Sequence, residues 1–334
     1  MGTRCTLRAE GASRDEALER SIRAIESVEQ RLSIWRVDSE LSRLNAQPLG
    51  EVFELSQALL ADLTRARHWT DRLEGAFDPG VGALIDLWDL RGEGRRPTDA
   101  TLAAALSKVG FRTCISIEMG QATRARDGFW IDAGGFGKGA ALDVAVHSAR
   151  SASAKSFEVD LGGQWAWFGQ PVRLGVADPI SRHQAALTLQ LPDAGSLATS
   201  GNSERGLTVD GQRIGHLLDP RTGRPAPDFG SITVFATATD HAAFDADALA
   251  TGLFILGPER ALQVGEELEG IEVLILHRTP RGDDQEPPST SPSPLVVRAT
   301  SGMQAWIRDL APGVSLASDL HPPGRSKADP IIDR

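Results

Sequence analysis

Nine residues constrain this chain more than any other stretch: Ile131-Asp132-Ala133-Gly134-Gly135-Phe136-Gly137-Lys138-Gly139. They hold four glycines and a lysine and follow the apolar run Gly128-Phe129-Trp130-Ile131. Glycine lets a backbone come close to a ligand or to another backbone. N–H groups gathered at the start of a helix form a ready site for phosphate. Read as a strand, a glycine loop and a helix over 140–151, the segment points to a phosphorylated ligand.

The common phosphate-binding patterns do not describe it. A P-loop needs glycine five positions before the Gly-Lys pair and Ser or Thr after it. Asp132 and Gly139 occupy those places. The dinucleotide pattern fits formally as Gly135-x-Gly137-x-x-Ala140 with Glu158 downstream, but it belongs near the start of a run of βαβ units and here lies mid-chain. The plainer alternative is a glycine-rich turn without a ligand; the lysine set among bare backbone favours binding.

At 334 residues the chain holds one large domain or two modest ones. A net charge of −10, from 35 basic and 45 acidic residues, argues against nucleic acid or an anionic membrane as the main partner. Two cysteines, Cys5 and Cys114, have no metal-ligand spacing. No apolar run approaches the length of a transmembrane helix. The first residues carry no basic-then-apolar leader, so a cytoplasmic chain is expected, or a periplasmic one if the start is trimmed.

Residues 3–10 read as a strand, and Ser13-x-x-Glu16 as a capping box for a helix carrying Leu18, Ile22, Ile25, Val28 and Leu32. Residues 37–45 read as a polar loop. Helices are expected at 56–70 and from Pro97 to Gly110. Beyond the glycine loop the chain turns β-rich, with strands expected at 156–161, 172–177, 186–191, 206–209, 214–218, 231–236, 271–276, 295–299 and 302–307. Helices at 243–256 and 258–267 interrupt them. Residues 279–294 read as a solvated insertion and 308–334 as a flexible tail, leaving 1–307 as one domain. This irregular mixture predicts an α+β fold of mixed, largely antiparallel sheets with packed helices rather than a doubly wound sheet.

Several short segments carry candidate chemistry. Asp247 and Thr251 stand one turn apart in the 243–256 helix and share a face, a pair of oxygens suited to a hard cation. An aspartate favoured by the helix dipole is the simpler account of Asp247 taken alone. Asp245, two positions away, points elsewhere. His216 precedes the turn Asp219-Pro220-Arg221-Thr222-Gly223 and, as a lone histidine, has an ordinary packing alternative. Ala198-Thr199-Ser200-Gly201-Asn202 offers hydroxyls at a strand end, and Phe77-Asp78-Pro79 reads as a turn.

Each of these has a bland explanation; their order along the chain does not. FDPGVG, IDAGGFGKGAALD, EVDLGG, ATSGN, HLLDPRTGRP and DADALATGLFILG resemble, in sequence and order, the blocks of the FAD:protein FMN transferase (ApbE) family. MGT and DSELSRLN at the start, and ATSGM near the end, also look like that family. The resemblance covers roughly residues 1–307. It implies the ApbE architecture and an Mg²⁺-dependent transfer of FMN from FAD to a Ser or Thr hydroxyl of an acceptor flavoprotein, with AMP leaving and a phosphoester formed. By the same resemblance Asp247, Thr251 and the Gly137 carbonyl hold Mg²⁺. Gly134, Gly135 and Lys138 meet the ligand, and Asp78, Asp143, Ser200 and Gly201 shape its pocket. His216 contacts the diphosphate or deprotonates the acceptor. Asp219 organises its own turn.

The chain departs from the family pattern at Gly80, where Thr is usual, at Gly137, where Ala is usual, and at Asp160-Leu161-Gly162-Gly163-Gln164, which exchanges amide and acid. Tyrosine is absent, so aromatic stacking on a flavin falls to Trp35, Trp88 or Phe136. The competing readings are an Mg²⁺-dependent FAD pyrophosphatase, a flavin-binding module without catalysis, and a dinucleotide-dependent dehydrogenase.

Overall fold

A computed structural model describes residues 2–202, 206–209, 211–278 and 294–317. The insertion read at 279–294, apart from Pro294, and the chain from 318 onward lie outside the described residues.

Strand β1 (Cys5–Glu10) leads into α1 (Arg14–Leu32). Ser13 stands at the N-cap, but its side chain makes no cap hydrogen bond, so the capping box does not form. Val28 and Leu32 are buried with Ala17 and Ser21, while Ile22 is exposed. The segment read as a polar loop contains α2 (Glu40–Ala46). The Ser39 hydroxyl accepts from Ser42 N, and Leu41 and Leu44 turn into the core. Then come β2 (Val52–Glu54), α3 (Gln57–Arg72) and α4 (Gly82–Trp88). Helix α5 (Asp99–Leu106) follows, then β3 (Ile115–Glu118) and β4 (Gln121–Arg124).

No strand forms at 128–131. Both backbone groups of Ile131 are taken by one side chain: Asn45 Oδ1 accepts its N–H at 2.8 Å and Asn45 Nδ2 donates to its carbonyl at 2.8 Å. Helix α6 (Gly137–Ser151) begins inside the glycine run, three residues earlier than expected, with Gly137 N already donating to the Ala133 carbonyl at 2.7 Å. After it come β5 (Ser156–Leu161), β6 (Gln164–Phe168), β7 (Val172–Ala177), β8 (Ala185–Leu191), β9 (Ala194–Gly201), β10 (Gly206–Val209), β11 (Gln212–Gly215) and β12 (Gly230–Thr237). Helices α7 (Ala242–Leu256) and α8 (Pro258–Glu267) precede β13 (Ile271–Arg278) and β14 (Leu295–Ala299).

Residues 302–307 are not a strand but mostly the short helix α9 (Ser301–Trp306). Two glutamates from elsewhere cap it: Glu272 accepts from Met303 N at 3.1 Å and from the Thr300 hydroxyl, and Glu266 accepts from Ser301 N at 2.7 Å. Strand pairing continues past 307 through β15 (Ile307–Leu310) and β16 (Val314–Leu316). The tail read from 308 is thus built into the sheets as far as Leu316.

The main sheet has eight strands in the order β1-β5-β6-β9-β12-β13-β14-β16, antiparallel except for the β14–β16 pair. Its central strands are buried on both faces, and the two-residue period of a strand divides their side chains. Ile232, Val234, Val273 and Ile275 join the core with α1, α3, α6 and α7. Phe235, Leu274 and Leu276 point into a second core, against the sheet β15-β8-β7. A third, smaller cluster joins α4 and α5 to the β10–β11 hairpin through Leu84, Trp88, Leu102, Val209 and Ile214. This is the expected α+β fold of largely antiparallel sheets.

Candidate active site

Helix α7 is apolar on nearly every side and lies between α6 and the main sheet, so its two aspartates are carried indoors. Its first turn has free N–H groups that a buried end must satisfy. Asp143 of α6 does so, accepting from Ala243 N at 2.8 Å and Phe244 N at 2.9 Å. Burial pushes the Asp143 carboxyl well above the usual range, against the lowering effect of those N–H groups. Asp143 thus sets the start of the helix that carries Asp247. The two helices can meet here only because residue 139 is glycine: a Cβ there would fall 2.2 Å from the Ala243 carbonyl oxygen.

That close approach delivers the glycine loop to Asp247, which is 3% exposed. Lys138 Nζ donates to Asp247 Oδ1 at 3.0 Å, and Gly139 N donates to Oδ2 at 3.0 Å. Thr251, one turn on, donates its hydroxyl to the Asp247 carbonyl at 3.1 Å. Its lone pairs remain available beside Gly135, where a Cβ would lie 3.3 Å from Thr251 Oγ1. The loop thus brings Gly135, Lys138, Asp247 and Thr251 together. Asp245 points away, to Arg65 and Trp69.

Most loop N–H groups are used internally. Gly134 N donates to Asp132 Oδ1 at 2.8 Å, Phe136 N and Gly137 N donate to the Ala133 carbonyl at 3.1 and 2.7 Å, and Gly139 N serves Asp247. Among the described residues this leaves the N–H groups of Ala133, Gly135 and Lys138 without a protein acceptor. The base of the loop is fixed from outside by Asn45 on Ile131 and by the Pro79 carbonyl, which accepts from Asp132 N at 2.8 Å. Asn45 and Asp132 went unread as site-forming residues, although both stand in the quoted blocks DSELSRLN and IDAGGFGKGAALD.

Asp78 holds the neighbouring turn, accepting from Gly80 N at 2.7 Å and Phe111 N at 3.0 Å. Burial pushes its carboxyl up to about 6. Ser200 and Gly201 lie at the end of β9, opposite Ile232 and Ser231. His216 does not lie on a strand: β11 ends at Gly215, and His216 sits half-buried at the bend beyond it. Buried Asn202 straps this segment, accepting from Leu217 N at 3.3 Å and donating to the Ala226 carbonyl at 3.4 Å. Asp219 closes its own turn on Arg221 N at 2.9 Å. Arg221, five residues beyond His216, packs beside Gly75. Of the three aromatic candidates, Trp88 and Phe136 are buried in packing, and Trp35 is 70% exposed.

Comparison with known proteins places this architecture. The ApbE family model matches residues 1–275. The chain belongs to the ApbE family. A FAD:protein FMN transferase of Vibrio cholerae is 31% identical over 268 residues, covering 78% of this chain and 79% of that protein. One from Treponema pallidum is 32% identical over 302 residues, covering 83% and 82%. The crystal structure of an ApbE protein of Thermotoga maritima superposes with a TM-score of 0.78 at 26% identity, covering 92% of this chain and 97% of the other. Membership sets aside the dehydrogenase reading, which the antiparallel sheet already opposes. Among the described residues of this ApbE chain, no helix is long and apolar enough to cross a membrane, and no three His, Cys, Asp or Glu side chains gather as a metal cluster.

Proposed function

We propose that this ApbE chain is a FAD:protein FMN transferase whose reaction runs at the junction of the glycine loop and α7. The observation that carries the reading is the buried Asp247 carboxylate, set against the glycine loop and shared between a lysine and a backbone N–H.

The donor set fits Mg²⁺. Asp247 supplies one buried carboxylate, and Thr251 adds a hydroxyl whose lone pairs are available. Mg²⁺ binds by one or two carboxylates plus substrate phosphates rather than in an all-protein cage, so a site with no carboxylate cluster suits it. Asp247, Thr251 and the Gly137 carbonyl would hold the ion. When bound, it would offset charge that develops on the diphosphate oxygens. The N–H groups of Gly135 and Lys138 would orient the diphosphate, and the Lys138 ammonium, one-third exposed, can turn from Asp247 toward a phosphate oxygen.

In the transfer itself, the acceptor Ser or Thr oxygen bonds to the FMN phosphorus, the bond to the AMP oxygen breaks, and the hydroxyl proton passes to a base. His216, at the bend after β11 and strapped there through Leu217 by Asn202, is our candidate for that base or for a diphosphate contact. His216→Ala should then slow transfer far more than it weakens FAD binding.

The test combines the protein with FAD and Mg²⁺, with and without a Ser/Thr acceptor peptide, and reads AMP and peptide mass. Peptide that gains FMN, with AMP released only in its presence and lost with EDTA, supports the transferase. AMP released without peptide makes the chain a pyrophosphatase. Bound FAD with no AMP in either case sinks the catalytic reading for that acceptor.

A further inference from the structure

Beside the loop, Arg91 links two indoles to Asp132. Arg91 follows α4, and its guanidinium carbon lies 5.0 Å from the ring centre of Trp35 and 4.5 Å from that of Trp130. Its Nη2 donates to Asp132 Oδ2 at 3.0 Å, while Asp132 Oδ1 accepts from Gly134 N at 2.8 Å. Trp130 is itself fixed by a 2.7 Å hydrogen bond from Nε1 to Asp86 of α4. A planar guanidinium can lie against aromatic faces and keep its edge donors for a carboxylate; an ammonium cannot do both.

The electrostatics give this arrangement a purpose. Asp132 is an acid with a largely covered side chain, 17% exposed, at the entrance of the loop read as the diphosphate site. A carboxylate there repels an incoming diphosphate unless its charge is offset. Arg91 offsets it and leaves the other carboxylate oxygen to shape the turn at Gly134, one residue before the N–H of Gly135.

We propose that Arg91 is a positioning residue for FAD. Held between two indoles, it neutralises Asp132 and, through Asp132, fixes the turn that aims the Gly135 N–H. The inference rests on the reading of the loop as the diphosphate site.

The test measures FAD binding by flavin fluorescence and transfer kinetics with FAD varied. Arg91→Ala should raise both Kd and KM for FAD about tenfold while kcat stays within about twofold, as expected when a binding interaction is lost without damage to the chemical step. Arg91→Lys should recover part of this, since it returns the charge but not the flat fit. Adding Asp132→Asn to Arg91→Ala should recover most of the affinity, because the amide still accepts from Gly134 N and carries no charge. An unchanged Kd in Arg91→Ala overturns the proposal. So does a loss that follows a lowered Tm and is not relieved by Asp132→Asn, for that marks a purely structural tie. Gly135→Leu, checked for folding by circular dichroism, separates this inference from its foundation. If it binds FAD normally, the diphosphate is not at this loop. If it loses FAD while Arg91→Ala does not, the role given to Arg91 alone fails.

Discussion

Asp245 and Asp247 stand two residues apart on one buried helix, and they are alike in side chain and in exposure, 7% and 3%. A step of two residues turns the chain by more than half a helical turn, so they meet different neighbours. Asp245 faces α3, where Arg65 donates from Nε at 2.7 Å and again from Nη2, and Trp69 donates from Nε1 at 2.6 Å. The planar fork and the indole fill the carboxylate. Asp247 faces α6 and receives one flexible ammonium and one backbone N–H. The same residue in the same burial is a rivet in one direction and, on the function proposed above, an exchangeable ligand in the other. The type of cation decides between them: Arg locks a carboxylate, whereas Lys can leave it.

The sharpest way to break this contrast is to remove each acid in turn. Asp247→Ala should lower the rate of FMN transfer by about a thousandfold or more, the scale of losing a key electrostatic group in phosphoryl transfer, with a small change in Tm. Asp245→Ala should do the reverse. By leaving Arg65 and Trp69 without their acceptor it should cost about 2–4 kcal/mol of stability, read as a shift in urea midpoint, with KM for FAD little changed. An exchange of these outcomes would end the distinction between rivet and ligand.

Lys138→Arg tests it from the other side. It keeps the charge but offers Asp247 a fork of the kind that holds Asp245. Transfer should fall about tenfold while Tm holds or rises slightly; full activity in this variant would show that the mobility of the lysine is unimportant.

Asp78 extends the comparison to a carboxylate held by backbone N–H groups without a cation. Its value is raised from 3.8 to about 6 by burial, so the folded state holds the proton more tightly than the unfolded chain. The stability this contributes is complete below about pH 3.8 and is lost as pH rises through about 6. A shift of this size corresponds to about 3 kcal/mol at most. Asp78→Asn should therefore gain on the native chain between pH 5 and pH 7.5, as seen in urea midpoints at the two values. A gap that does not change with pH contradicts the assigned value. The smallest expected effect is at Ser39→Ala, which removes only the α2 cap and should cost about 1 kcal/mol without changing FAD affinity.

The sequence reading succeeded where information was local. Helix α7, expected at 243–256, forms at Ala242–Leu256 and ends at Gly257-Pro258, and Thr251 stands one turn from Asp247 as expected. It failed where a distant side chain did the work of a local one. Residues 128–131 have strand composition, but Asn45 takes both backbone bonds of Ile131, Gly82 N donates to the Trp130 carbonyl, and Phe129 N donates to the Arg126 carbonyl. The small and polar Thr300-Ser301-Gly302 start became a helix because Glu272 and Glu266 supply its cap. In the segment at 37–45 the signal was present and unused: Ser39 followed by Leu41 and Leu44 is a capped helix with a buried face, masked by the polar residues between.

By itself the sequence determined the class of fold, the positions of most elements and the family, because periodicity, glycine spacing and the order of the blocks are properties of the chain alone. It could not determine which carboxylate meets which cation. Lys138 and Asp247 are separated by 109 residues, and Arg65 and Asp245 by 180. Only the packing of α6 and α3 against α7 brings each pair within hydrogen-bonding distance. That packing depends on a missing Cβ at Gly139 and on a helix start satisfied from another helix by Asp143. These conditions are met in three dimensions, and they separate the acid of the candidate site from the acid that holds the fold.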